Sequence, residues 1–308
     1  MKFKYNKFPL HFCYQLNPYL YSCSIILSFM KLIADSGSTK TDWKLIGPRG
    51  ESKDIKTHGI NPFFRLEEDI FQELNTFLLP ETGPDIDQIY FYGAGIVNAE
   101  KGDIVRRALN RIYTHATIET HSDVLGAARA LFGDQAGLAC ILGTGSNACL
   151  YDGEKITQGI SPLGFILGDE GSGAVMGRKL LGDYFKEEMP KQLRDEFSAQ
   201  YNLTREDVLN RVYRSDKPNQ YLAQFLPFLS EHENSAWCQA FVQQNFMEFF
   251  ERNVAKLPKY SSYPIGFIGS VAWYFSNILN NTANYFGFDK TTLVKDPIDG
   301  LAKYYSTI

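Results

Sequence analysis

Cysteine is scarce in this chain: Cys13, Cys23, Cys140, Cys149 and Cys238 are the five among 308 residues. None forms a C-x-x-C pair and no histidine stands beside them at zinc-ligand spacing, which argues against a disulfide framework or a structural zinc. Cys140 and Cys149 sit in apolar surroundings and read as small buried hydrophobes, consistent with a reducing cytoplasm. Long apolar runs are also missing, none approaching the ~18 residues of a membrane span. Nor is there an excess of positive charge. Against 35 Asp and Glu stand 31 Lys and Arg, a net charge of -4 with both signs scattered, so the chain shows no footprint for nucleic acid or anionic lipid. The expected partners are small molecules. What is present is 44% hydrophobic residues, enough at this length for two cores.

The start differs from the rest. Residues 1–29 carry Lys2, Lys4 and Lys7, no acid and many Phe and Tyr. Asn17, Pro18 and Ser22 interrupt the apolar stretch that a signal peptide would need, and no small-residue cleavage site follows. Met30 opens a good core strand and is the expected natural start, with residues 1–29 an upstream or poorly ordered extension.

From Met30 strands and helices alternate. Lys31-Leu32-Ile33-Ala34 runs into the polar turn Asp35-Ser36-Gly37-Ser38-Thr39-Lys40-Thr41-Asp42, and Trp43-Lys44-Leu45-Ile46 returns as the second strand of a hairpin. A third strand near residues 53–57 leads to the loop Gly59-Ile60-Asn61-Pro62. An apolar stripe over residues 66–79 predicts a helix ended by Pro80. Strand Ile89-Tyr90-Phe91-Tyr92 and a helix over 102–113 follow, then His121-Ser122-Asp123 before a helical run. Leu138-Ala139-Cys140-Ile141-Leu142, the turn Gly143-Thr144-Gly145-Ser146-Asn147 and Ala148-Cys149-Leu150-Tyr151 repeat the logic of the first hairpin. Residues 171–256 are helix-rich, and a last strand enters Gly269-Ser270-Val271. This duplication predicts an α/β fold of two lobes around a cleft.

The glycine- and hydroxyl-rich turns carry the chemistry. Glycine admits a phosphate to the backbone, hydroxyls donate to its oxygens, and a carboxylate such as Asp35 can hold hydrated Mg²⁺. Taken singly, each turn is equally well a plain hairpin. Two of them roughly one hundred residues apart, each leaving a buried strand, can clamp a triphosphate from both sides. No G-x-x-x-x-G-K-[ST] loop occurs.

In order, Asp35-Ser36-Gly37-Ser38-Thr39-Lys40-Thr41, Gly143-Thr144-Gly145-Ser146-Asn147, Gly168-Asp169-Glu170-Gly171-Ser172 and Gly269-Ser270-Val271 resemble the two phosphate motifs, the sugar motif and the adenosine-side turn of the N-acetylglucosamine kinase family, grouped with the BadF/BcrA-type ATPases in the actin-like superfamily. The resemblance implies two ribonuclease-H-like (actin-like ATPase) lobes, at 30–120 and, with a helical insertion, 121–290, and a segment 291–308 returning to the first lobe. It implies ATP and Mg²⁺ as cofactors, an amino sugar as substrate, and the homodimer that members often form. Asp35 matches the carboxylate that meets Mg²⁺ through water. Gly37, Ser38, Thr39 and Thr41 match the first phosphate turn, Gly143, Thr144 and Gly145 the second, and Gly269 and Ser270 the adenosine side. Asp123 falls at the catalytic base, although an Asp before a helix is also a good N-cap. Asn61, Asn147, Gly164 and Asp169 match sugar contacts; helix capping is the alternative for Asp169, and turn chemistry explains Asn61 equally simply. At the position before Gly164 relatives carry Trp and this chain has Leu163, which removes an aromatic platform against the sugar or its N-acetyl group. Lys40, Arg178 and Lys179 read as solvated charges, and His58 and His121 as structural. The implied activity is phosphorylation of N-acetylglucosamine at its C6 hydroxyl, with glucosamine, N-acetylmuramic acid, or an ATPase acting on a protein partner as alternatives.

Overall fold

The computed structural model describes residues 29–37 and 39–306. The expectation for residues 1–29, Phe29 aside, lies outside the described residues, and so does that for Ser38.

Leu32, Ile33 and Ala34 are fully buried, as a strand covered on both faces requires. They form the middle of β1 (Lys31–Ser36), which pairs antiparallel with β2 (Lys40–Ile46), itself antiparallel to the polar edge strand β3 (Ser52–His58). On its other side β1 runs parallel to β4 (Gln88–Gly93), and β4 to β5 (Thr117–Ser122). The second sheet repeats the scheme. β6 (Gly137–Leu142) forms a hairpin with β7 (Ser146–Tyr151), then β8 (Ile156–Gly159), and runs parallel to β9 (Ile265–Ile268), followed by β10 (Thr291–Val294). The orders β3-β2-β1-β4-β5 and β8-β7-β6-β9-β10 are the same. The duplication read from the two hairpins is therefore one of whole sheets.

Parallel strands end together. The carboxyl ends of β1, β4 and β5, at Ser36, Gly93 and Ser122, share one edge of the first sheet, and those of β6 and β9, before Gly143 and Gly269, share one edge of the second. Ligands of open α/β sheets bind at such edges. The helix Asp123–Phe132 packs against β1, β4 and β5 and also against β6, β7 and β9, so it belongs to both sheets.

Two expectations are corrected. The helix over 66–79 does not stop at Pro80: an α-helix Glu67–Glu73 widens into a π segment Leu74–Leu78 and continues as Leu79–Thr82. Pro80 falls in the first turn of that last piece, where its missing N–H costs little. The segment from Thr291 does not return at once to the first lobe, because Thr291–Val294 pairs with β9 as an edge of the second sheet. The return is made by the helix Ile298–Ser306, which packs on β1, β2 and the Asp123–Phe132 helix. Lys31 Nζ donates to the Tyr305 carbonyl at 2.7 Å, and Arg129 Nη1 donates to Tyr92 Oη at 2.7 Å and Tyr305 Oη at 3.1 Å.

The helical insertion packs an aromatic core, with Phe197, Phe225, Phe228, Phe246, Phe249 and Phe250 buried together. Its helices Gly173–Phe185 and Pro218–Ala223 approach so closely at Gly177 that a Cβ there would lie 2.6 Å from the Leu222 carbonyl carbon. Alanine normally stabilises a helix by about 1 kcal/mol over glycine. Gly177→Ala is expected to do the reverse and lower stability by about 1–3 kcal/mol, since rigid backbone must move. The urea midpoint of the variant against the parent checks this.

Candidate active site

Two glycine turns meet at one cavity. The first closes through Gly37 N–H donating to the Lys40 carbonyl at 3.0 Å, and the second through Gly143 N–H to the Gly145 carbonyl at 3.0 Å. A cavity of about 550 Å³ opens between them, lined by Thr39 of the first turn, Gly143 and Thr144 of the second, and Ser270. It falls in the ~300–1,000 Å³ range of small-molecule sites. Its remaining wall is mostly apolar, from Ala223, Leu226 and Pro227 on one side and Val271, Tyr274 and Phe275 on another. Gly269 adopts φ 121° and presses against the end of β6, where a Cβ would lie 3.2 Å from Gly143 N; an L-residue fits neither condition. The third glycine turn is thereby held beside the second.

Each turn is stitched to a second loop of its own lobe. In the first, Ile60 N–H donates to Ser36 Oγ and Gly59 N–H to the Thr39 carbonyl, both at 3.0 Å. Asn61 therefore stands next to the phosphate turn, buried, with its Oδ1 accepting Phe63 N–H at 2.9 Å. That bond is the turn chemistry the sequence allowed for. Thr41 is fully buried, its hydroxyl donating to the His58 carbonyl at 3.1 Å and lying 2.7 Å from Ser36 Oγ. It braces the hairpin from inside and does not line the cavity. In the second lobe Gly173 N–H donates to the Gly143 carbonyl at 2.8 Å and Ala174 N–H to that of Thr144 at 3.1 Å.

Capping belongs to neighbours of the two aspartates. Ser122 caps the Asp123–Phe132 helix, its Oγ accepting Leu125 N–H at 3.4 Å, while Asp123 occupies the first helical position. Ser172, accepting Val175 N–H at 3.2 Å, caps Gly173–Phe185 in the same way. The N-cap position is thus taken by a serine in both places, although Asp123 Oδ1 still accepts Val124 N–H at 2.8 Å. Asp169 has a left-handed backbone, φ 54°, with its carboxylate resting over Gly145. Asn147 turns its Oδ1 to Ala148 N–H at 2.8 Å. Gly164, φ 70°, starts the short helix Gly164–Leu167 leading to Gly168, and Leu163 before it is 58% exposed.

The site is rich in negative charge. Burial, then the nearby Asp123, Asp42 and Asp296 carboxylates, push the Asp35 carboxyl up to about 7, with Lys40 opposing. Burial also raises Asp123, against the hydrogen bonds of Val124 N–H and its own N–H. Asp169 is pushed up to about 6 by burial, against the Ser146 N–H bond. A desolvated pair of carboxylates with so little cation nearby fits a hard divalent cation. Among the described residues no three or more potential ligands are grouped to hold a metal by themselves. That suits Mg²⁺, which binds through one or two carboxylates together with substrate phosphates. Sequence reading missed Lys40, which bridges Asp42 at 2.6 Å and Asp296 at 2.9 Å, and the apolar cavity wall, because Asp296 and the wall come from segments remote in the chain.

Two sheets of one strand order, with hairpin turns facing each other across a nucleotide-sized cavity, define the actin-like ATPase fold. A solved structure from Porphyromonas gingivalis, provisionally named an N-acetylglucosamine kinase, matches 90% of this chain and 99% of its own at 43% identity, with a TM-score of 0.86. The chain belongs to the N-acetylglucosamine kinase family. A second structure, from Chromobacterium violaceum and provisionally named in the same way, shares the fold at 15% identity and a TM-score of 0.61, over 90% of this chain and 98% of its own. No protein-family model and no curated protein matches the chain.

The Asp35 carboxyl sits above its ordinary value of 3.8, so the folded state favours its protonated form. The stability this contributes is complete below about pH 4 and lost as pH rises through about 7. In the absence of divalent cations, Asp35→Asn is therefore expected to gain stability relative to the parent between pH 5 and pH 8. Urea unfolding of both proteins at the two pH values in chelator checks this; a difference that stays constant overturns the assignment.

Proposed function

We propose that this protein transfers the γ-phosphoryl group of ATP to the C6 hydroxyl of an amino sugar, N-acetylglucosamine being the first candidate. The observation that carries the reading is the convergence of Thr39, Gly143, Thr144 and Ser270 on one cavity, at the sheet edges that also end in Asp35 and Asp123. The apolar wall receives the adenosine. Backbone N–H groups and hydroxyls of the two turns hold the phosphates, Ser38 and Gly145 adding to them. Asp169, Asn61, Asn147 and the backbone at Gly164 hold the sugar. Asp35 would hold Mg²⁺ through water, and that ion supplies charge neutralisation on the phosphates. Asp123 accepts the proton of the attacking hydroxyl: the O–H bond breaks toward its carboxylate, a bond from that oxygen to the γ-phosphorus forms, and the bond to the ADP oxygen breaks. Its raised pKa brings the base nearer the working pH, where proton transfer is most effective.

An ATPase serving a radical enzyme through an iron–sulfur cluster fits less well. Among the described residues the cysteines are Cys140, Cys149 and Cys238, all buried in the second lobe, and burial raises the thiols of Cys140 and Cys149, the latter to about 12. Such thiols are poor metal ligands.

The test is ADP release with Mg-ATP against N-acetylglucosamine, glucosamine, N-acetylmannosamine, N-acetylmuramic acid and glucose. Turnover is expected on an amino sugar, falling about 10²–10⁴-fold in Asp123→Ala with the KM for ATP little changed. ATP hydrolysis indifferent to every sugar overturns the reading.

A further inference from the structure

Glu170 follows Asp169 in the chain and has no part in the chemistry above, yet its carboxylate is among the most buried acids, 7% exposed. Arg252 Nε pairs with its Oε1 at 2.9 Å and Asn253 Nδ2 donates to its Oε2 at 3.2 Å, both from the end of the helix Ala236–Arg252. A buried carboxylate is tolerated when both oxygens are satisfied in this way. The Glu170 main chain is tied in the other direction: its carbonyl accepts Ser146 Oγ at 2.8 Å. Between these ties stands Asp169, whose left-handed backbone persists only if its surroundings enforce it. Its carbonyl takes Ser172 N–H at 3.0 Å, and its carboxylate rests over Gly145. With Gly173 and Ala174 bonded to the Gly143 and Thr144 carbonyls, residues 169–174 and the turn 143–146 are joined along their length.

We propose that Glu170 is a positioning residue which, anchored on the Ala236–Arg252 helix, holds Asp169 in its strained conformation and clamps it through Ser146 to the second phosphate turn. Sugar side and phosphate side of this lobe then move as one piece. The ligands named here rest on the sugar-kinase reading, while the clamp itself is a matter of geometry. Coupling of this kind is reciprocal: a bound sugar tightens nucleotide binding by the factor by which nucleotide tightens sugar.

The test uses the full chain. Glu170→Gln keeps a bond to Asn253 and loses the Arg252 pairing; Ser146→Ala cuts the strap, and Ser146→Thr restores a hydroxyl. In hydrogen exchange without ligands, amides of residues 143–147 are expected to exchange about tenfold faster in Glu170→Gln and Ser146→Ala, to recover in Ser146→Thr, and to leave residues 88–93 unchanged. With the sugar that the parent phosphorylates, both weakened variants raise the sugar KM about tenfold, within the usual range of coupling, with a smaller change in kcat. Unaltered exchange at 143–147 in Glu170→Gln overturns the clamp even where a sugar is phosphorylated. If that variant does not fold, the Ser146→Ala and Ser146→Thr pair decides, and failure of Thr to restore exchange overturns it. Absence of turnover on any sugar overturns the kinase reading instead, and exchange still judges the clamp.

Discussion

A hairpin turn at the end of a buried strand has backbone groups that its own sheet does not pair, and in this protein a neighbouring loop of the same lobe pairs them. Ser36 and Thr39 take the N–H groups of Ile60 and Gly59 in one lobe; the Gly143 and Thr144 carbonyls take those of Gly173 and Ala174 in the other. Unmet buried backbone groups are costly, so turn and loop settle together. The consequence is functional. A glycine turn would be soft alone; cross-stitching gives it one shape and brings the proposed sugar residues Asn61 and Asp169 beside the proposed phosphate turns.

Charge follows from that packing. The strand ends carry Asp35 and Asp123 into a partly dry cleft, and the cation nearest to answering them, Lys40, is divided between Asp42 and Asp296. Such a site is electrostatically unfinished. Under the proposed function a divalent ion with phosphates would complete it, so the same carboxylates that lower stability when ionised would serve when loaded.

Much of this was legible from the chain. Both hairpins, the helix-rich insertion and the order of the glycine turns follow from strand period, glycine placement and apolar stripes, and the shared strand order bears out the duplication. Side-chain direction was less accessible. Thr41 looked like a third hydroxyl for phosphate, but strand alternation turns it inward against Ser36 and His58. Capping competed with the chemical readings of Asp123 and Asp169, and in the structure Ser122 and Ser172 hold the N-cap positions. Pro80 looked like a stop, which the π segment Leu74–Leu78 displaced by shifting the register. The cavity wall had no local sign, since Leu226, Pro227, Tyr274 and Phe275 meet only after the insertion has folded.

The helix Asp123–Phe132 joins these features into a machine. It begins at the proposed base, packs on both sheets, and near its other end Arg129 is held by Tyr92 of the first sheet and Tyr305 of the C-terminal helix. A half-buried guanidinium that donates to two phenols ties strand and C-terminal helix to one side chain. These bonds fasten the helix to the first sheet and to the C-terminal helix. The proposed base stands at the start of this shared helix, so its position is set by packing against both sheets at once.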